Sequence, residues 1–157
     1  MDEALTFDYV IIGGGSAGCV LAHRLSSDPS IRVALVEAGP ASGGRWVSIP
    51  AGLIGTVPTH KLNWAFDTVP QAGLNGRRGY QPRGKVMGGS SAINAMCYIR
   101  GHASDYDGWA ANGCTGWSWS DVLPYFKRAE GCLVPDADAS VHGFDGPLKV
   151  SELRSPS

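Results

Sequence analysis

The sequence has almost no net charge, because its 13 Lys and Arg residues face 14 Asp and Glu residues for a formal charge of −1. Nucleic acids and anionic membrane surfaces are usually bound by an excess or a stripe of basic residues, so we expect neither partner. No run approaches the roughly 18 uncharged apolar residues of a membrane-spanning helix, so no transmembrane segment is predicted. A basic region followed by a long apolar stretch is also missing near residue 1, which argues against a secretory signal. We therefore expect a cytoplasmic location, and attachment to the surface of the inner membrane stays open.

Cysteine is scarce and widely spaced. The four cysteines are Cys19, Cys97, Cys114 and Cys132. This spacing predicts neither a metal knuckle nor a dense disulfide framework, so we expect reduced thiols. Three of the four histidines, His23, His60 and His142, are interpreted as having no Asp or Glu at metal-ligand spacing, and we expect no metal site. The fourth, His102, is expected to be a satisfied turn or surface histidine.

Glycine, by contrast, is abundant. It accounts for 22 of 157 residues, about 14%, which is twice the usual share of about 7%. Hydrophobic residues make up 43% of the chain, enough for one ordinary domain with a core. Some part of this molecule therefore needs backbone without side chains, and the positions of the glycines indicate where that part lies.

The first forty residues predict a strand, a glycine turn, a helix and a second strand. The run of residues 7–12, which is apolar except for Asp8, predicts a buried parallel strand, and residues 32–36 predict another that ends at Glu37. Between them, from Ser16 to residues 28 and 29, apolar positions recur at helical spacing and predict a helix of about eleven residues. The right-handed crossover rule assembles these elements as a βαβ unit.

Gly13, Gly15 and Gly18 fit the dinucleotide fingerprint Gly-x-Gly-x-x-Gly, directly after the predicted strand. In such a unit the first glycine allows a tight turn, the second lets backbone approach a pyrophosphate, and the third allows close helix packing. The pyrophosphate would lie at the helix N-terminus, where free N–H groups and the dipole favour an anion. Glu37 is placed to accept hydrogen bonds from a ribose diol. The alternative is that the glycines only shape a turn and Glu37 is a solvated strand end. The fingerprint does not separate NAD from FAD.

A second glycine-rich segment covers residues 83–94. Gly88 and Gly89, followed by the hydroxyls of Ser90 and Ser91, predict a tight turn with a helix or turn beginning near Ser90. Its amides and hydroxyls could contact a phosphate or the polar edge of a ring. Two such segments suit a long cofactor. The residues alone leave a structural turn and a binding loop equally open here.

Residues 41–84 show no long hydrophobic periodicity and are rich in proline and glycine, so we expect extended connections and short strands. Their many large apolar residues indicate that they pack against other parts of the protein and do not form a flexible linker. Further on, Ser104 is predicted to cap a helix that stops at Asn112, and either Ser118 or Ser120 is predicted to cap a second one. Aromatic residues are expected to pack these two helices together. They are Trp109, Trp117, Trp119, Tyr125 and Phe126.

The second glycine segment resembles the first signature of the glucose-methanol-choline (GMC) flavoprotein oxidoreductases. The matching positions are Gly84, Lys85, Met87, Gly88, Gly89, Ser90, Ser91, Ile93 and Asn94, continued by Tyr98, Gly101 and Asp107. Shorter matches run through essentially the whole chain, and from residue 61 to 109 it is most similar to bacterial alcohol and choline dehydrogenases. Met87 departs from the signature, which usually has a branched aliphatic residue there, but this change conserves volume.

This resemblance implies an α/β fold: a Rossmann-like FAD-binding βαβ unit with extended loops and helices, forming the N-terminal segment of a two-domain enzyme. Residues 1–40 would be the dinucleotide unit. Residues 41–100 would be cofactor-covering loops with the second glycine motif. Residues 101–157 would be a helical segment and an exit loop.

The resemblance also implies which residues contact FAD. Those at the pyrophosphate are Gly13, Gly15, Ser16 and Ala17, with Gly18 completing the fingerprint, and those at the adenosine ribose are Glu37 and Ala38. Those near the rest of the cofactor are Trp64, Met87, Gly88, Gly89, Ser90, Asn94, Ala95, Met96 and Cys97. Some relatives attach FAD covalently through a histidine at position 93 or 94. Here these positions hold Ile93 and Asn94, which implies a dissociable, non-covalent cofactor. Cys97 is expected to be an inert small core residue.

The implied reaction is the oxidation of a CH–OH group, with hydride transfer to the flavin and a histidine as base on the hydroxyl of a small alcohol. No residue here matches that histidine, so we assign no catalytic residue to this chain. Family chains are several times longer, and we expect a C-terminal part as partner, either joined or as a second chain after nicking near residues 155–157. A non-catalytic FAD-binding fragment and a lyase such as a hydroxynitrile lyase remain the alternatives.

Overall fold

The computed structural model describes residues 5–152, so the exit loop expected near residues 155–157 lies outside the described residues. The chain divides into two compact units, with the first ending at Cys97 and the second beginning at Tyr98. Each unit is described by itself below.

The first unit begins with the predicted βαβ arrangement, which is confirmed. Strand β1 (Tyr9–Ile12), helix α1 (Ser16–Leu25) and strand β2 (Val33–Val36) follow one another, and the two strands pair in parallel. Strand β1 is shorter than predicted at its start. The Asp8 N–H still donates to the Arg32 carbonyl over 2.9 Å, but the Arg32 N–H donates to the Asp8 carboxylate over 2.7 Å, so a side chain replaces the next backbone acceptor of the ladder.

Residues 5–152 do not bury the two-stranded sheet, contrary to the prediction for residues 7–12. Val10, Ile12 and Val36 are all exposed, and Ile12 is 88% exposed. Parallel sheets normally have both faces covered, because their strands are apolar on both sides. The described residues therefore supply only part of the cover that this sheet needs.

Residues 41–84 form short strands, as expected, but also helical turns that were not predicted. Helix α2 (Arg45–Ser48) and helix α3 (Leu53–Thr56) flank a 3-10 turn (Pro50–Gly52), and strand β3 (Phe66–Asp67) pairs antiparallel with β4 (Tyr80–Gln81). A second 3-10 turn occupies Ala72–Leu74 between the two strands. Helices α2 and α3 can pack closely because Gly52 and Gly55 lie against Trp46, where an added Cβ would overlap with the tryptophan.

Asn63 organises the loops of this region. It is only 2% exposed, and its side-chain amide donates to the carbonyls of Val57 and Thr59 over 2.9 and 3.0 Å. Its Oδ1 accepts hydrogen bonds from the N–H groups of Ala65 and Arg83 over 3.0 and 2.8 Å. One buried amide thus satisfies loop groups that have no ladder partner, which fixes the chain before and after Trp64.

The second unit contains helix α4 (Ala103–Ala111), helix α5 (Trp119–Ala129) and two parallel strands, β5 (Glu130–Cys132) and β6 (Leu148–Val150). Ser118 caps α5 and shares a capping box with Asp121, which confirms one of the two predicted caps.

The predicted cap of α4 at Ser104 is wrong, because α4 starts earlier. His102 is the N-cap, its imidazole Nδ1 accepts from the Ser104 N–H over 3.3 Å, and the Asp105 carboxylate accepts from the His102 N–H over 2.8 Å. His102 is therefore a satisfied turn histidine, as expected. The helix ends at Ala111 with Asn112 as its C-cap, in agreement with the predicted stop.

Tyr106 is the centre of the helix pair. Its ring contacts those of Trp109, Trp119 and Phe126 at centroid distances of 5.3, 5.5 and 5.7 Å. Tyr125 was expected to join this packing but is 69% exposed. Consecutive residues of a helix point about 100° apart, so Tyr125 projects away from the side of α5 that Phe126 and Trp119 share. No helix within residues 5–152 is long and apolar enough to cross a bilayer.

Candidate functional site

The glycine turn between β1 and α1 has the geometry of a backbone that must bend sharply. Gly13 has a φ of +100°, and its N–H donates to the Val36 carbonyl over 2.7 Å, which ties the turn to β2. A Cβ at Gly18 would overlap with the Gly13 carbonyl oxygen, so α1 approaches the turn more closely than any side chain would allow.

The N-terminus of α1 opens onto free space. A Cβ at Gly13 would meet nothing within 4 Å, and a Cβ at Gly15 would meet only the Gly89 Cα at 4.0 Å. Gly15 is the N-cap and provides no side chain for capping. Among residues 5–152, the first N–H groups of α1, at Ser16 and Ala17, therefore have neither an intrahelical acceptor nor a cap. Free donors at the positive end of a helix dipole suit an anion.

Glu37 lies directly after β2 and is half-buried beside this turn. Its Oε2 accepts from the Gly14 N–H over 2.7 Å, and its Oε1 accepts from the Gly39 N–H over 2.9 Å. The carboxylate is therefore not a freely solvated strand end, since it joins the two loops that follow β1 and β2. Each oxygen retains a further lone pair for a ligand hydroxyl. Ala38, the next residue, is exposed.

The second glycine segment lies against the first. The Gly88 N–H donates to the Gly14 carbonyl over 2.7 Å, and a Cβ at Gly89 would lie 2.8 Å from the Gly15 Cα. Gly88 and Gly89 both have positive φ, at +95° and +59°. The helix or turn predicted near Ser90 is a 3-10 turn, Gly89–Ala92. Two segments separated by more than seventy residues in the chain thus form one continuous surface of backbone.

Three serines complete this contact. The Ser90 Oγ accepts from the Gly84 N–H over 3.1 Å, which closes the second loop. The Ser91 Oγ donates to the Gly88 carbonyl over 2.6 Å and accepts from the Ser16 Oγ over 3.1 Å. Ser91 was part of the quoted signature but was not among the predicted contacts. Only the fold reveals its role, since nothing in the sequence pairs it with Ser16.

Met87 covers the first turn from the side. A Cβ at Gly14 would lie 2.7 Å from the Met87 Sδ and 3.3 Å from the Glu37 side chain, so the thioether fills the space next to the turn. The Met87 N–H also donates to the Pro40 carbonyl over 3.0 Å. At Gly14, an unspecified position of the fingerprint, an added Cβ would therefore displace a side chain, whereas at Gly13 it would meet nothing within 4 Å.

Trp64 is 40% exposed and is held next to the start of the second glycine segment. The backbone N–H of Trp64 donates to the Arg83 carbonyl over 2.9 Å, and the Lys85 ammonium lies 4.3 Å from the centre of the Trp64 ring. The ring stacks on Phe66 with centroids 5.7 Å apart. The structure thus places an exposed aromatic face where the segment that follows β4 begins.

Residues 94–97 are mostly open to solvent. The Asn94 Oδ1 accepts from the Met96 N–H over 2.8 Å, and Met96 has a φ of +58° and is 55% exposed. Cys97 is exposed, so the expectation of a core residue there is wrong. Asn94 and Met96 line a cavity of only about 70 Å³, smaller than the roughly 300 Å³ of a typical ligand pocket. Among the described residues, they therefore do not enclose a ring system by themselves. Ala95 lies between them and is also exposed.

A buried ionic cluster in the second unit was missed by the sequence. Glu130 is fully buried and pairs with Arg100, while its carboxylate also bonds His142 Nδ1 at 3.0 Å and the Gly143 N–H at 3.0 Å. Burial alone would raise the pKa of Glu130, but the Gly143 N–H, His142 and Arg100 together hold that pKa below its ordinary value of 4.5. The Cys132 Sγ lies within 4.8 Å of a carboxylate oxygen of Glu130 and of a ring nitrogen of His142. Because Arg100 already neutralises the carboxylate, this cluster acts as a structural anchor.

A family model described as GMC oxidoreductase matches residues 7–156. The chain is 50% identical over 148 residues to the alcohol dehydrogenase [acceptor] of Pseudomonas putida, covering 94% of this chain and 27% of that protein. It is 48% identical over 152 residues to the mitochondrial choline dehydrogenase of Homo sapiens, covering 92% and 25%.

Solved structures give the same result. Pyridoxine 4-oxidase from Mesorbium loti superposes with a TM-score of 0.79 at 40% identity, covering 92% of this chain and 28% of that one. An FAD-dependent oxidoreductase from Chaetomium thermophilum superposes with a TM-score of 0.77 at 36% identity, covering 93% and 26%. The chain spans about a quarter of the length of the relatives that it matches.

Proposed function

This chain belongs to the GMC oxidoreductase family, and on that premise we propose that it supplies the FAD-binding part of an oxidoreductase that acts on CH–OH groups. The observation that carries the proposal is the contact between the two glycine segments, which join beside the open N-terminus of α1. One long cofactor can contact both segments at once, whereas two unrelated structural turns would have no reason to share this surface.

The pyrophosphate would be held where Gly13 and Gly15 leave free space and where the N–H groups of Ser16 and Ala17 have no cap. Gly18 serves by letting α1 approach the turn. These features fit the group, because a Cβ at Gly15 would project into the space that a phosphate needs.

The adenosine ribose would lie at Glu37 and Ala38. Glu37 is already oriented by the N–H groups of Gly14 and Gly39, so its remaining lone pairs are fixed in direction before any ligand arrives. A preoriented acceptor loses little side-chain entropy on binding. The other proposed contacts, which belong to the second segment and its neighbours, are Trp64, Met87, Gly88, Gly89, Ser90, Asn94, Ala95, Met96 and Cys97.

We propose that FAD is bound without a covalent link. Ile93 is buried and apolar, and Asn94 uses its Oδ1 to accept the Met96 N–H. Neither side chain has a nucleophilic nitrogen comparable to that of histidine at the two positions where attachment would be expected.

The complete enzyme would include a C-terminal part, either joined to this chain or present as a second one. Two observations support this: the relatives are about four times longer, and the β1–β2 sheet leaves apolar residues uncovered. That part would also provide the base. Within residues 5–152, the Nδ1 atoms of His102 and His142 are already engaged in an N-cap and in a hydrogen bond with the Glu130 carboxylate. We therefore expect this chain alone to be inactive.

Bound FAD supplies a hydride acceptor, and the substrate class would be small alcohols. A cytoplasmic location is part of the same proposal, and it is supported by the free thiols of all four cysteines.

The proposal is tested on the natural gene product, meaning the complete enzyme with its C-terminal part, purified anaerobically. We expect flavin absorbance that bleaches when primary alcohols, choline or a sugar alcohol are added. A yellow protein that no alcohol bleaches would instead favour a lyase. A colourless protein that takes up no FAD would contradict the cofactor assignment altogether.

A further inference from the structure

Ser91 connects the two glycine segments by a side-chain contact, and the direction of its hydrogen bonds is fixed. A serine hydroxyl has one hydrogen, and a carbonyl oxygen can only accept. Ser91 gives its hydrogen to the Gly88 carbonyl, 2.6 Å away, so it must accept the hydrogen of Ser16 across the 3.1 Å between their Oγ atoms.

The consequence concerns Ser16, the first residue of α1. Its only hydroxyl hydrogen is directed at Ser91 and is therefore not available to an anion at the helix N-terminus. What Ser16 still offers there is its backbone N–H, next to that of Ala17. The bond also holds the start of α1 to the second glycine loop, whose Gly88 N–H donates to Gly14 over 2.7 Å.

We propose that Ser91 is a positioning residue for anion binding: it holds the Ser16 hydroxyl and fixes the turn so that backbone N–H groups, and not that hydroxyl, face the anion. This rests on the proposed function, in which the anion is the pyrophosphate of FAD. Ser91 itself makes no contact with the phosphate.

The competing arrangement is that Ser16 donates its hydroxyl hydrogen directly to the phosphate. Ser16 would then have to give up its bond to Ser91, and Ser91 would be dispensable or even unfavourable for binding. The two arrangements predict different couplings between the residues, which a double-mutant cycle measures.

The experiment uses apoenzyme prepared from the natural gene product and titrated with FAD and, as a smaller probe of the pyrophosphate site, with ADP. The variants are Ser91→Ala, Ser91→Thr, Ser16→Ala and the double alanine variant. We expect Ser91→Ala to weaken both ligands by about 2- to 12-fold, the effect of one neutral hydrogen bond. Ser91→Thr keeps a hydroxyl and should restore binding, and the double variant should bind no more weakly than the weaker single one.

The matched control is Ser27→Ala. Ser27 is another exposed serine whose hydroxyl donates to a carbonyl, that of Arg24, over 2.6 Å, but it lies away from the glycine loops. Its removal should leave both affinities unchanged. Melting temperatures of all variants identify any loss of folding.

The proposal is overturned if Ser91→Ala binds FAD and ADP as tightly as wild type or more tightly. It is also overturned if the effects of the two alanine substitutions multiply, or if Ser91→Thr fails to rescue binding although it is folded. A wild-type apoenzyme that binds neither FAD nor ADP overturns the proposed function, and this proposal with it, whereas normal wild-type binding with a neutral Ser91→Ala overturns this proposal alone.

Discussion

Gly89→Ala should be a severe substitution, because two costs fall on the same residue. Gly89 has a φ of +59°, where a Cβ costs about 1–2 kcal/mol, and its Cβ would lie 2.8 Å from the Gly15 Cα. Backbone cannot rotate away as a side chain can, so overpacking adds about 1–3 kcal/mol. We expect a total loss of about 2–5 kcal/mol in unfolding free energy, together with weaker FAD binding, because the first glycine turn must move.

Two other glycines separate these costs. Gly76 has a φ of +75° with nothing within 4 Å of its Cβ position, so Gly76→Ala should show only the backbone cost of about 1–2 kcal/mol. Gly108 lies inside α4 in open space, and Gly108→Ala should be stabilising by up to about 1 kcal/mol. Denaturant unfolding and FAD titration of the three variants provide the comparison. If Gly89→Ala is as mild as Gly76→Ala and keeps its FAD affinity, the two glycine segments do not meet as described.

Two further predictions concern carboxylates. Glu37→Ala removes the acceptor for the N–H groups of Gly14 and Gly39 and should reduce the flavin retained after gel filtration; unchanged flavin content would refute the ribose role. Glu130 has a pKa below its ordinary value of 4.5, so its contribution to stability is present above that value and is lost as the pH falls through the lowered folded pKa. Unfolding free energies measured from neutral to acidic pH should therefore fall less steeply in Glu130→Gln. This variant leaves the Arg100 side chain, which is 11% exposed, without its anion and is less stable at neutral pH; parallel curves would exclude this linkage.

The parts of the fold that depend on neighbouring residues were accessible from the sequence. The βαβ unit could be predicted because its strands and helix have different periods and a glycine turn separates them. The sequence predicted either Ser118 or Ser120 as the cap of α5, and the structure identifies Ser118, which forms a capping box with Asp121. In contrast, the cap of α4 is an imidazole, and no common sequence signal marks His102 as an acceptor for the Ser104 N–H.

The parts that depend on distant residues were not accessible. Glu130 and Arg100 are thirty residues apart, and a glutamate at the end of a helix gives no sign that it will be fully buried. The contact between Ser16 and Ser91 spans seventy-five residues, so the sequence could suggest only that both segments hold one cofactor. Solvent exposure was also misjudged at residues 7–12 and at Cys97, since apolar or small side chains do not reveal whether this chain alone covers them.

The most direct test of the account is FAD binding by the apoenzyme of the natural gene product, followed by acid precipitation. The account predicts that FAD binds to the apoenzyme and that all of the flavin is then recovered in the supernatant as free FAD. An apoenzyme that takes up no FAD would contradict the proposed site, and flavin that remains attached to the precipitated protein would contradict non-covalent binding.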